Sequence, residues 1–288
     1  MSDQAFHLRA LVRAAAQADA GPAFPPPRKV VVCGGKGGAG ATTLAVNLSI
    51  ALARLGSRVV LVDADMNHAD VAAHCQLEAR YTIADVLCAR RTVHEVLTRG
   101  PAGIQIVAGA WSATCVPDCS PAAQDRLLAE LDRLGRHADL VVVDVGGGLN
   151  HVVRRYWQAA DSVLLVTTPD RVAIMDAYAA IKVLAAGRAL AIHTIMNCAD
   201  APTAAHAHAR INGACQRFLH RSLSLAGHVS DDSAVAEAAA TGRPFALAGG
   251  GSPPAREIEI IAEALLAQWR TRADAAVETA PTLATAAA

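Results

Sequence analysis

One stretch, Gly34-Gly35-Lys36-Gly37-Gly38-Ala39-Gly40-Ala41-Thr42-Thr43, constrains this chain more than any other. It follows the run Lys29-Val30-Val31-Val32-Cys33 and precedes Leu44-Ala45-Val46-Asn47-Leu48-Ser49-Ile50-Ala51-Leu52. A β-branched run, a glycine-dense turn and an apolar segment of helical period predict strand, loop and helix in that order. Glycines permit positive φ and a close approach of backbone to ligand. Successive N–H groups at a helix N-terminus present fixed partial positive charge to an anion. The stretch reads as a cradle for phosphate.

The usual phosphate loop ends in Gly-Lys-Ser/Thr, its lysine reaching the β/γ-phosphates and its hydroxyl reaching Mg²⁺. Here Gly40 is followed by Ala41 and then Thr42, so the hydroxyl is kept and that lysine is missing. Another lysine, Lys36, stands near the start of the loop. Lysine occurs only at 29, 36 and 182 in a chain rich in arginine, so Lys36 is no accident of composition. Arginine, not alanine, would be the expected drift at 41.

The loop resembles the deviant Walker motif of the MinD/ParA ATPases, Lys-Gly-Gly-x-Gly-Lys-Thr-Thr, with one substitution. The resemblance implies an α/β fold: a doubly wound, mostly parallel sheet of the P-loop NTPase type with helices on both faces. It implies ATP and Mg²⁺ as cofactors, and a homodimer formed with ATP. Gly35, Lys36, Gly37, Gly38, Ala39, Gly40, Ala41, Thr42 and Thr43 would then bind the nucleotide. Lys36 would cross the dimer interface to the partner's nucleotide.

The 288 residues suffice for one large α/β domain or two small ones. Hydrophobic residues make up 53% and aromatics 3%, so the core must be mainly Ala, Val, Leu and Ile. A formal net charge of zero argues against general attraction to nucleic acid. The seven cysteines are odd in number and scattered, which fits reduced thiols in a cytoplasmic protein. Cys115 and Cys119 lack a second ligand pair for structural zinc. His206 and His208 read as surface histidines on a helix. No apolar run approaches the roughly 18 residues that span a bilayer. A soluble, intracellular protein is expected.

Four segments follow from the chain's punctuation: a helix over 1–20, a Pro-rich linker over 21–28, a nucleotide domain over 29–272 and a disordered tail over 273–288. In the first, Leu8, Leu11, Val12 and Ala15 fall at helical spacing. Asp3-Gln4-Ala5-Phe6-His7-Leu8-Arg9 resembles the N-terminal signature of the FlhG (FleN) type, MinD-like regulators of flagellar number and placement. The resemblance casts Asp3 and Gln4 as activators of a signal-recognition-type GTPase partner, FlhF. The tail lacks the Lys-rich amphipathic helix that MinD proteins lay on membranes, which leaves only peripheral membrane contact by another route.

Within the domain, Arg58-Val59-Val60-Leu61-Val62-Asp63 predicts a buried strand ending in Asp63-Ala64-Asp65. Carboxylates at the C-terminal edge of a parallel sheet face the ligand crevice. The family resemblance assigns Asp65 to the attacking water and leaves Asp63 structural. Tyr81–Leu87 and 103–107 resemble family segments in which helical pieces lead into an edge strand. Residues 121–136 predict a helix with Leu127, Leu128, Leu131 and Leu134 on one face. Asp139-Leu140-Val141-Val142-Val143-Asp144 is a hydrophobic strand ending in aspartate, the arrangement that supports Mg²⁺. Thr42 and Asp144 are therefore the metal candidates.

Ser162–Pro169 predicts a further strand, and Asp176-Ala177-Tyr178-Ala179-Ala180-Ile181-Lys182 resembles an FlhG helix. Ala191–Asn197 predicts a strand ending in an amide, which can pair with a donor and an acceptor on a purine edge. The resemblance makes Asn197 the reader of adenine. A helix over 202–221 follows. Ser230 then stands where the family has proline, at the rim of the base pocket. In the last helix, 255–272, Ile258, Ile261, Leu265 and Trp269 are expected in the core.

Lys36 and Asp65 are thus the catalytic candidates of a switch in which ATP favours dimer and ADP monomer. Losing a transition-state donor at Ala41 costs about 10²–10³ in rate, so turnover is expected to be slow. Two other readings fit the chain: a non-catalytic ATP-binding scaffold of the CpaE/TadZ pilus-assembly type, and a ParA-like partitioning ATPase.

Overall fold

The valine- and leucine-rich runs show little polar alternation, as strands covered on both faces do. A computed structural model describes residues 24–110, 120–248 and 251–278. Its strands are β1 (Arg28–Gly34), β2 (Val59–Asp63), β3 (Thr98–Arg99), β4 (Gln105–Val107), β5 (Leu140–Gly147), β6 (Ser162–Thr167), β7 (Ala191–Asn197) and β8 (Ser224–Val229). The helices are α1 (Ala41–Arg54), α2 (Val71–His74), α3 (Ile83–Leu87), α4 (Val93–Val96), α5 (Pro121–Asp132), α6 (His151–Ala159), α7 (Arg171–Leu184), α8 (Ala201–Leu219), α9 (Ser233–Thr241) and α10 (Pro253–Glu278).

The strands form one sheet in the order β3-β4-β2-β5-β1-β6-β7-β8. Every neighbouring pair is parallel except β3 with β4. Parallel neighbours need helical crossovers, and these cover both faces with apolar side chains. Val31, Val143 and Leu165 point to the layer of α5, α6, α7 and α8. Val30, Val142 and Leu164 point to the layer of α1 and α10. Tyr156 and Trp157 are among the largest fully buried side chains, so the few aromatics reinforce an aliphatic core. Ile258, Ile261, Leu265 and Trp269 are buried, as their spacing required.

Four local expectations are corrected. The run Gln105–Val107 is not the edge; the two-residue β3 pairs antiparallel outside it. The helix expected to 136 is α-helical only to Asp132 and tightens into a 3₁₀ turn over Arg133–Arg136. The last helix continues to Glu278, beyond the boundary at 272, over alanine-rich sequence of high helix propensity. His208 is no free surface histidine, because its Nδ1 lies 2.8 Å from the Thr194 hydroxyl of β7. The expected N-terminal helix with Asp3 and Gln4, the Cys115/Cys119 pair and the final ten residues of the tail lie outside the described residues.

β1 lies in the middle of the sheet, between β5 and β6. The loop that leaves its C-terminal end is therefore flanked by the ends of both neighbours.

Candidate functional site

β1 ends at Gly34 and α1 starts at Ala41, so the glycine-rich stretch is the intervening loop. Gly38 and Gly40 have φ of 79° and 89°, the left-handed region that glycine enters without penalty. The loop is held from behind. Gly35 N–H donates to the Val166 carbonyl of β6 at 3.1 Å, and Asn197 Nδ2 donates to the Ala39 carbonyl at 3.0 Å. A Cβ on Gly40 would stand 2.3 Å from Asn197 Nδ2, and one on Gly35 would stand 2.9 Å from the backbone of Ala177. At Gly37 and Gly38 a Cβ would meet nothing within 4 Å. The loop is packed on one side and open on the other.

The open side forms a cavity of about 440 Å³. Residues from Lys36 to Thr43 line it, together with Asp65, Asn67, His68, Asp70, His74, Gly146 and Gly147. The sequence reading brought the loop and Asp65 here. It did not single out Asn67, His68, Asp70 or His74, although all four follow Asp65 closely on the same connection. That proximity was the available signal.

Asp144 is fully buried at the end of the hydrophobic run in β5. Its Oδ1 accepts Gly146 N–H at 3.1 Å, while its Oδ2 is buried without a hydrogen-bond partner. Burial pushes its pKa up to about 6, against the opposing pull of the Thr42 hydroxyl and the Gly146 N–H. Buried polar oxygens are nearly always satisfied. An unmatched carboxylate oxygen beside a threonine hydroxyl is a hard oxygen site of the kind Mg²⁺ takes. Thr42 and Asp144 fit that ion.

Asp63 and Asp65 differ in what they bond. Asp63 is fully buried and accepts N–H from Asp65 at 3.3 Å and from Val71 at 3.1 Å. Burial first, and the charge of Asp144 second, push its pKa up to about 8. Asp65 lines the cavity; its Oδ1 accepts Asn67 N–H at 2.8 Å and His68 N–H at 3.2 Å. A Cβ on Gly146 would fall 1.9 Å from Asp65 Oδ2, so the glycine makes room for this carboxylate.

Lys36 Nζ lies 3.4 Å from Asp170 Oδ2 of its own chain. Asp170 caps α7 by accepting Ala173 N–H at 2.9 Å and also accepts the Thr168 hydroxyl at 2.5 Å. The Thr168 hydroxyl foremost, then the Ala173 N–H, hold the Asp170 pKa down at about 2. Asn197 lies behind the loop, outside the cavity lining, with one amide N–H committed to Ala39. At Ser230, both the backbone N–H and the hydroxyl donate to Glu257 Oε2, at 2.8 and 2.9 Å. A proline there would lack the first of these donors.

A family model described as an AAA domain matches residues 27–186. The antiactivator FleN of Pseudomonas aeruginosa is 34% identical over 215 residues, 74% of this chain and 77% of FleN. The chain belongs to the MinD/ParA family of P-loop ATPases. Another relative is the flagellum site-determining protein YlxH of Helicobacter pylori, 30% identical over 54% of this chain and 52% of YlxH. The fold matches the septum site-determining protein MinD of Pyrococcus horikoshii, solved in complex with Mg-ADP, with a TM-score of 0.70. That likeness covers 83% of this chain and 96% of that one at 23% identity. Like other MinD/ParA proteins, the chain is an ATP-binding P-loop NTPase with the doubly wound fold of the family. Among its described residues, no helix is long and apolar enough to cross a membrane.

Proposed function

We propose that this MinD/ParA protein is an ATP-operated switch that sets the number or position of flagella. One observation carries the nucleotide part. The glycine loop opens onto a cavity that also receives Asp65, with Asp144 Oδ2 unpartnered behind it. In this reading Gly37, Gly38, Ala39, Gly40, Ala41 and Thr43 bind phosphate through backbone N–H groups, Thr43 adding its hydroxyl, while Gly35, expected among them, spends its N–H on Val166 and anchors the loop from behind. Thr42 and Asp144 hold Mg²⁺, which neutralises charge on the phosphate oxygens when bound. Asp65 orients the attacking water, and Asn197 reads adenine with the amide atoms its bond to Ala39 leaves over.

Lys36 leaves Asp170 and reaches the nucleotide of a second copy, so that ATP assembles a homodimer and hydrolysis releases it. Hydrolysis is slow because Ala41 cannot stabilise charge developing on the transferred phosphoryl group. The flagellar assignment is supported by FleN and YlxH among the relatives and by Asp3-Gln4 in the N-terminal signature. Residues 1–20 would engage a signal-recognition-type GTPase, FlhF. Any membrane contact would be peripheral.

Size-exclusion chromatography with light scattering, in ATP, ADP and no nucleotide, tests the switch. A dimer in ATP alone is expected; one unchanging mass in all three refutes it. Ala41 favours a second reading, a scaffold of the CpaE/TadZ type that binds ATP without turnover. A peptide of residues 1–20 separates the two, since it should stimulate the GTPase under the first reading only.

A further inference from the structure

We propose that the imidazole of His68 replaces the missing loop lysine, donating to the β- and γ-phosphate oxygens of ATP from the connection after β2. The inference deepens the ATP-binding reading above and rests on it.

Mg·ATP keeps net negative charge that backbone N–H groups only partly balance. The Ala41 methyl, 7% exposed, has no donor to offer. Lys36, paired with Asp170 before dimerisation, serves the nucleotide of a second copy in the reading above and not the one on its own loop. The chain is rich in arginine, yet no arginine lines this cavity among the described residues. The basic side chains left on its wall are His68 and His74.

These two histidines are placed differently. His74 closes the short helix α2 and is half-buried, and burial lowers its pKa against the pull of Asp70. Burial thus disfavours the charged form of His74, the form that would serve a phosphate best. His68 is exposed, on a backbone fixed at both of its polar groups. Its N–H donates to Asp65 Oδ1 at 3.2 Å, and its carbonyl accepts Asp70 N–H at 3.1 Å. The backbone that carries the ring is therefore held beside Asp65, the carboxylate that faces the cavity, and less backbone entropy is lost when the residue engages a ligand. An imidazole offers an N–H donor in either protonation state.

The test is a double-mutant cycle on nucleotide affinity, read by calorimetry with Mg·AMPPNP and Mg·ADP. His68→Ala should weaken Mg·AMPPNP about tenfold, the loss of one charge-assisted hydrogen bond, and Mg·ADP less. In an Ala41→Lys background the same change should cost less than about twofold, because the lysine has resumed the task. His68→Lys should stay within about twofold of the parent.

Equal losses in the two backgrounds would overturn the proposal, as would an indifferent His68→Ala. Asn67→Ala controls for disturbance of the loop, and a matching loss there would also overturn it. Should Ala41→Lys fail to fold, the contrast of His68→Ala with His68→Lys and Asn67→Ala decides the matter. Absence of heat from the parent protein with either nucleotide would defeat the ATP-binding reading itself. Parent binding with an indifferent His68→Ala defeats this inference alone.

Discussion

Asp144→Asn should stabilise the nucleotide-free protein and abolish its response to Mg²⁺. Asp144 is fully buried, and its pKa is raised from 3.8 to about 6. A carboxyl whose folded pKa lies above its unfolded value binds its proton more tightly when folded. The ionised form therefore costs stability. The cost is absent below the unfolded pKa, grows as pH rises from about 4 to 6, and is complete above 6. A gap of about two pKa units corresponds to roughly 3 kcal/mol.

The help that Thr42 and Gly146 give to the charged form is already contained in that gap. Asparagine must still bury an amide with incomplete partners, which costs about 1–2 kcal/mol. The net gain at pH 8 is then about 1–2 kcal/mol, or about 2–8 °C in melting temperature for a chain of this size. Near pH 5 roughly half of the ionisation cost has gone, and the advantage should shrink to about zero. Removing the Asp144 charge also relieves Asp63, which acts in the same direction. Differential scanning calorimetry of both proteins at pH 8 and pH 5, with and without Mg·ADP, reads all of this. A variant melting at or below wild type at pH 8, or an equal gain at both pH values, would refute the reasoning.

Gly40→Ala places an L-residue at φ 89° and a Cβ against Asn197, so it should cost at least about 1–2 kcal/mol of stability. Asn197→Ala loses the bond to Ala39 and should cost about 1 kcal/mol, while the double variant relieves the clash and should fall short of the sum; strict additivity in urea titrations would exclude that contact. Asp170→Asn keeps an acceptor for the α7 cap but removes the charge beside Lys36. It should lower the ATP concentration for half-maximal dimerisation by about two- to fivefold, as expected for an exposed pair, and light scattering would expose the opposite shift. Ala41→Lys should raise phosphate release by about 10²–10³, and an unchanged rate would remove the account of slow turnover.

Much of the fold was legible because its signals are local. β1, the loop and α1 are contiguous, so apolar pattern and glycine placement specify each from its neighbours. β2, β5 and β6 were equally clear as uninterrupted Val/Leu runs, whereas β8, SLAGHV, carries no such run and was not read as a strand. Nor was β3, since two residues carry no period, and the α-helix beyond 272 was hidden by a composition that disordered tails also use. His68 and His74 were passed over because the sequence reading weighed only carboxylates on the connection after β2.

By itself, the sequence determined that a glycine loop would join a buried strand to a helix and that Asp63 and Asp144 would close two other hydrophobic runs. It also determined the family, through the spacing of Lys36, Thr42 and Thr43. Tertiary structure decided which groups are spent and which are free. Asp63 and Asp65 are indistinguishable as letters and each accepts two backbone N–H groups, yet Asp63 uses both of its oxygens for them, whereas Asp65 takes both on Oδ1 and lines the cavity. Lys36 meets Asp170 across 134 residues, and Asn197 meets Ala39 across 158. The physical reason is the strand order. Placing β6 and then β7 on one side of β1 brings those distant residues to the loop, and no local pattern encodes which strands become neighbours.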